Sequence, residues 1–164
     1  MKEGKTALEA TVVQWLAYGD VDRAITLLPR VREGESKLEV YKSIAGQLEE
    51  EDRISEAIQL GDQLPEDQKE DFLQRLSLNV AHRAPFSHLE AGIRELPTKE
   101  LQSRAARSAM MFSGTFMLPE LSEHERGQLK EYLTDDDKTI VEMVESVALD
   151  SLKEDLPKIP APGN

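Results

Sequence analysis

Gly19-Asp20-Val21-Asp22-Arg23-Ala24-Ile25 is the stretch whose reading decides the fold. It follows a helical pattern, offers a turn at Gly19-Asp20 and opens a second helix carrying Ala24 and Ile25. The Ala-Ile pair returns at Ala57-Ile58, 33 residues on, and Ala91 follows 34 residues later. A period near 33 is the signature of stacked helical hairpins, each unit too small to bury its apolar face alone.

Working outward, Thr6-Ala7-Leu8-Glu9, Ser36-Lys37-Leu38-Glu39, Ser87-His88-Leu89-Glu90 and Ser122-Glu123-His124-Glu125 have the capping-box pattern, with Thr134 to Asp137 a weaker variant. They predict helix starts. The first helix, Thr6 to Tyr18, carries Leu8, Val12 and Trp15 at i, i+4, i+7 as its core face, and Gly19 supplies a left-handed cap. Pro29 ends or kinks the second helix. Leu38, Tyr41, Ile44, Ala45 and Leu48 form one face of the next, which ends in the acidic run Glu49 to Asp52, where a turn belongs. Ile54, Ala57, Ile58 and Leu60 mark its partner, which stops at Leu64-Pro65. Phe72, Leu73, Leu76 and Val80 mark a third long helix, broken at Ala84-Pro85. The helix of Leu89, Ile93 and Leu96 stops at Leu96-Pro97. A helix from Thr98 then carries Ala105, Ala106 and Ala109. On the final helix Ile140, Val144 and Val147 form one stripe, with Val141, Ala148 and Leu152 beside it. No segment alternates with a period of two, so no sheet is expected. The tail from Leu156 to Asn164, with three prolines, is expected to be extended or disordered; its Pro157-Lys158-Ile159-Pro160 spacing reads as a spacer.

The 164 residues contain no cysteine, which excludes a disulfide framework, a thiolate zinc site and a cysteine nucleophile. No apolar run approaches the ~18 residues of a membrane span. Met1 to Thr6 does not read as a signal peptide, so the cytoplasm is the expected location, with the periplasm open if a leader was trimmed. Net charge is −12, unevenly placed: residues 1 to 48 balance seven acids against seven bases, 49 to 71 carry −8, 72 to 119 carry +3 and 120 to 155 carry −8. Nucleic acid is therefore not an expected partner; a protein or peptide, basic in character, suits the charge better.

The first two hairpins resemble the tetratricopeptide-type repeat, a 34-residue helix–turn–helix. Tyr41, Ala45, Leu48, Ala57 and Leu64 occupy its matching positions in one unit, and Leu8, Val12, Trp15, Ala24 and Val31 in the preceding one. The third unit matches only at Ala91, with Asn79 and His82 where apolar residues belong, and residues 98–164 do not match. The resemblance implies an all-α, short right-handed α-solenoid of about three antiparallel hairpins, with repeats at about 6–33, 36–65 and 66–97 and a helical cap at 98–155. Armadillo-like, pentatricopeptide-like or unclassified hairpin repeats and an irregular bundle stay open. The resemblance further implies a groove lined by the first helix of each pair, which in the better unit means Glu39, Lys42, Ser43 and Glu49.

Neither cofactor nor metal is expected. His82, His88 and His124 lack the i, i+4 partner of a helical zinc motif, and Asp135-Asp136-Asp137 lacks the spacing of a calcium loop. No glycine-rich phosphate loop or serine elbow is present. Among the cations Arg94, Lys99, Arg104 and Arg107, Arg104 and Arg107 share a helix face by their i, i+3 spacing and suit a peptide carboxylate, unless the acidic blocks take them internally. Met110 to Leu121 is rich in Met, Phe and Leu; Met111, Phe112 and Phe116 form either a cap on the open end of the stack or a partner surface. The expectation is a non-enzymatic scaffold or adaptor. Its alternatives are a homodimer joined through the C-terminal helices, and a helical regulator or enzyme whose pocket holds a carboxylate of raised pKa.

Overall fold

A computed structural model describes residues 3–32, 34–115 and 118–154, and the chain is all-helical. Its helices among the described residues are α1 (Glu3–Ala17), α2 (Val21–Leu27), α3 (Glu35–Glu50), α4 (Ile54–Gly61), α5 (Glu66–Val80), α6 (Phe86–Glu95), α7 (Lys99–Phe112), α8 (Glu123–Lys130) and α9 (Asp135–Glu154). No strand forms among those residues, and no helix is long and apolar enough to cross a membrane. Phe116, Met117 and the tail from Leu156 lie outside the described residues.

The helices pack in a regular order. α1 packs on α3, α3 on α5, α5 on α7 and α7 on α9, while α2, α4, α6 and α8 each pack on the odd-numbered helix before them. Ala24 and Ala57 are fully buried at the centres of α2 and α4, where the sequence echo places them. At the third position the register shifts by one. Ala91 is exposed and Gly92 faces inward, so close to Val80 that a Cβ would come within 3.0 Å of its Cγ1. A similar approach joins α4 to α5, where Gly61 packs under the ring of Phe72. Ala105, Ala106 and Ala109, all buried, provide the small side chains of α7.

Several local expectations are overturned. Leu8, Val12 and Trp15 do not face the core: Ala10, Val13 and Ala17, on the opposite side of α1, do. Burial follows what α3 can approach, and the small residues on α1 allow a closer contact than the larger apolar set does. Likewise Ile140, Val144 and Val147 are exposed on α9 while Val141 is buried; the side chains of Ala148 and Leu152 are outside the described ones.

Three of the capping boxes are not used. Thr6 lies inside α1, α3 is capped at Gly34 and α6 at Pro85. Each helix starts earlier than the hydroxyl suggests, so Ser36 and Ser87 fall within a first turn. The fourth forms as predicted: Ser122 Oγ accepts from the Glu125 amide and the Glu125 carboxylate accepts from the Ser122 amide. The Ser122 hydroxyl, which donates to that carboxylate at 2.7 Å, and then the Ser122 amide hold the Glu125 carboxyl below its usual range. Asp20 caps α2 by accepting from Arg23 N at 3.0 Å, and Thr98 caps α7. Gly19 has no positive φ; Asp52, at φ 61°, takes the left-handed conformation in the acidic turn instead. The neighbouring Arg53 ties that turn to α2, donating to Asp22 at 2.6 Å as well as to Glu51 and Glu56.

Candidate functional site

The C-terminal ends of α3 and α5 diverge around the left-handed turn at Asp52, and the start of α6 closes the third side. The result is an open cavity of about 670 Å³ lined by Gly46, Glu49, Glu50 and Asp52 from the α3 end, Asn79, His82 and Arg83 from the α5 end, and His88 from α6. Gly46, without a side chain, leaves the α3 wall low; no atom lies within 4 Å of where its Cβ would stand.

Glu49 is the one buried acid among the described residues. Its Oε1 accepts from Asn79 Nδ2 at 3.3 Å. Loss of water around the carboxylate pushes its pKa up to about 7, against the opposing pull of the Asn79 bond and the Arg83 charge. Arg83 Nη2 donates to Asp52 Oδ1, and His88 Nδ1 stands 3.0 Å from the same oxygen. His82 Nδ1 lies 2.7 Å from the Leu78 carbonyl oxygen, which can only accept, so Nδ1 carries a proton and donates. The cavity thus holds a carboxyl whose pKa is raised by burial, an anchored arginine and an imidazole that donates from Nδ1.

Side chains from successive odd-numbered helices continue from this cavity. On the α1 side, Gln14 Nε2 donates to Ser43 Oγ at 3.5 Å. Lys42 and Arg75 flank the seam between α3 and α5. On the α7 side, the His82 ring lies 5.5 Å from that of Phe112, which is half-exposed. Lys42 and Glu49 thus line one seam, while Ser43 is tied to α1 and Phe112 stands beside His82. Glu39 is exposed one turn earlier and paired to Lys42 at 3.0 Å.

Of the two roles open to Arg104 and Arg107, Arg107 takes the internal pairing with an acidic block. Arg107 is bound to Asp137 of α9 at 2.7 Å, while Arg104 lines a different cavity of about 500 Å³ with Asp62, Lys69 and Thr98. Arg94 pairs with Glu90, and Lys99 donates to the Glu131 carbonyl. The acidic C-terminal block takes Arg107 because α9 packs on α7. Met111 is half-exposed, and Phe116 lies outside the described residues.

Asp52, Arg83 and His88 carry no sequence signal of a site. Asn79 and His82 do: both stand where the repeat pattern calls for apolar residues, and both face the cavity. No group of three or more acidic or histidine side chains among the described residues has the arrangement of a metal site. No protein-family model matches the chain, and neither the curated proteins nor the solved structures contain a match to it.

Proposed function

We propose that the protein is a non-enzymatic interaction module, a short right-handed α-solenoid of helical hairpins that holds a peptide or protein segment along its odd-numbered helices. The sequential packing of α1, α3, α5, α7 and α9 supports the solenoid reading. The observation that carries the functional one is the cavity at Glu49, Asn79 and His82, which adjoins the α3–α5 seam where Lys42 stands. Glu49 and Glu50 give it the chemistry to receive a lysine or arginine side chain of the ligand, an ion pair being strongest where water is partly excluded. Selection from a random displayed peptide library tests this. Enriched peptides should carry a basic residue and lose binding to the Glu50→Lys protein. Enrichment of peptides without basic residues, or binding indifferent to that variant, counts against it.

A second reading, a helical enzyme using Glu49 as a general acid, is favoured by the elevated Glu49 pKa beside two histidines. Its test is a hydrolase substrate screen in which turnover vanishes in Glu49→Gln; no turnover, or turnover that survives the substitution, removes it.

A further inference from the structure

α1 is apolar on two opposite faces. Ala10, Val13 and Ala17 face α3, while Leu8, Val12, Trp15 and Tyr18 stand 65%, 55%, 75% and 64% exposed. Positions 8, 12 and 15 follow i, i+4, i+7, and the Trp15 and Tyr18 rings lie 6.3 Å apart, so the four form one stripe. The stripe contains no charged side chain, in a protein 32% of whose residues are charged. A helix built this way has the pattern of an internal member of a stack, covered on both sides.

We propose that a second copy of this chain covers this face, in a two-fold dimer with the α1 helices antiparallel. Val12 then sits near the axis and Trp15 of each copy packs on the partner's Leu8, an isologous arrangement in which each stripe meets its own kind. The area is sufficient. At side-chain sizes usual for these residues the stripe offers roughly 500 Å² per copy. Two copies therefore bury roughly 1,000 Å², the lower bound of a specific interface.

Charge decides between this face and the other exposed stripe, Ile140, Met143, Val144 and Val147 on α9. Residues 120 to 155 carry −8, so pairing α9 with α9 sets two strongly acidic blocks against each other. Residues 1 to 48 are neutral overall, and Glu9 at the edge of the α1 stripe is 3.7 Å from Arg32 of its own chain. Pairing through α1 therefore incurs no net repulsion.

Trp15 is the only tryptophan, so its emission reports on this interface alone. Sedimentation velocity of the full chain across a concentration series should show monomer converting to dimer, with the emission maximum moving to shorter wavelength in step. Trp15→Glu and Leu8→Asp should each weaken the dimer by at least about 30-fold, as loss of a central apolar anchor does. Circular dichroism should be unchanged, because both side chains point into water in the monomer. Met143→Glu should leave the dimer intact. A monomer at every concentration, a dimer that survives Trp15→Glu, or a dimer abolished by Met143→Glu overturns the proposal. Growth beyond two copies also overturns it, because it indicates end-to-end joining of α1 to α9.

Discussion

Asn79 Nδ2 donates to Glu49 Oε1 across the seam between α5 and α3, 3.3 Å apart and 30 residues apart in sequence. Among the described residues this bond gives the buried carboxyl one neutral partner and no ion-paired cation. Burial consequently dominates, and the proton is held to about pH 7 rather than 4.5.

The sign of the pH dependence follows. In the unfolded chain Glu49 ionises near 4.5; in the folded protein near 7. Between these values the folded state binds more protons, so Glu49 lowers stability as pH rises from 4.5 through 7, by about 3 kcal/mol in full. Glu49→Gln keeps an oxygen for Asn79 and cannot ionise. Urea denaturation should find the variant close to the parent at pH 4.5 and more stable at pH 8. Equal stability at both pH values would mean that Glu49 is solvated.

Two helical glycines should respond to alanine with opposite signs. Gly46 has open space at its Cβ position, so Gly46→Ala should stabilise α3 by about 1 kcal/mol, the usual helix gain, while narrowing the cavity. At Gly61 the new Cβ would lie 2.8 Å from the buried Phe72 ring, so Gly61→Ala should destabilise by roughly 1–3 kcal/mol despite the same gain. Thermal melts of the pair separate packing from propensity.

Asp52 combines a left-handed backbone with bonds to Arg83 and His88. Asp52→Ala should cost roughly 1–2 kcal/mol through the backbone alone, and Asp52→Asn should recover most of it because asparagine tolerates that conformation. If chemical denaturation finds the two variants equally unstable, the carboxylate and not the backbone carries the effect.

Ser103 is fully buried in α7, where its Oγ accepts from Thr134 N at 2.9 Å and donates to Asp137. Ser103→Ala leaves an amide and a carboxylate short of a partner and should cost about 1–3 kcal/mol, read as a lower urea midpoint with unchanged slope. Arg107→Met, which strips the other partner from Asp137, should produce a loss that is not additive with it in the double variant.

The sequence by itself determined that this is a helical chain and where most turns fall, because proline, capping residues and 3.6-residue periodicity act locally. Ala24 and Ala57, Asp20, Thr98 and the Ser122–Glu125 box stand in the roles their sequence suggests. It also marked Asn79 and His82 as misfits in an apolar pattern, the one legible trace of the cavity. What only tertiary structure decided was which of two apolar faces of α1 turns inward, that Gly92 rather than Ala91 carries the close contact, and that Arg107 belongs to Asp137. Each depends on the distance of a neighbouring helix far away in sequence. Periodicity states which residues share a face; only packing selects the face that is buried, and only burial gives Glu49 its proton.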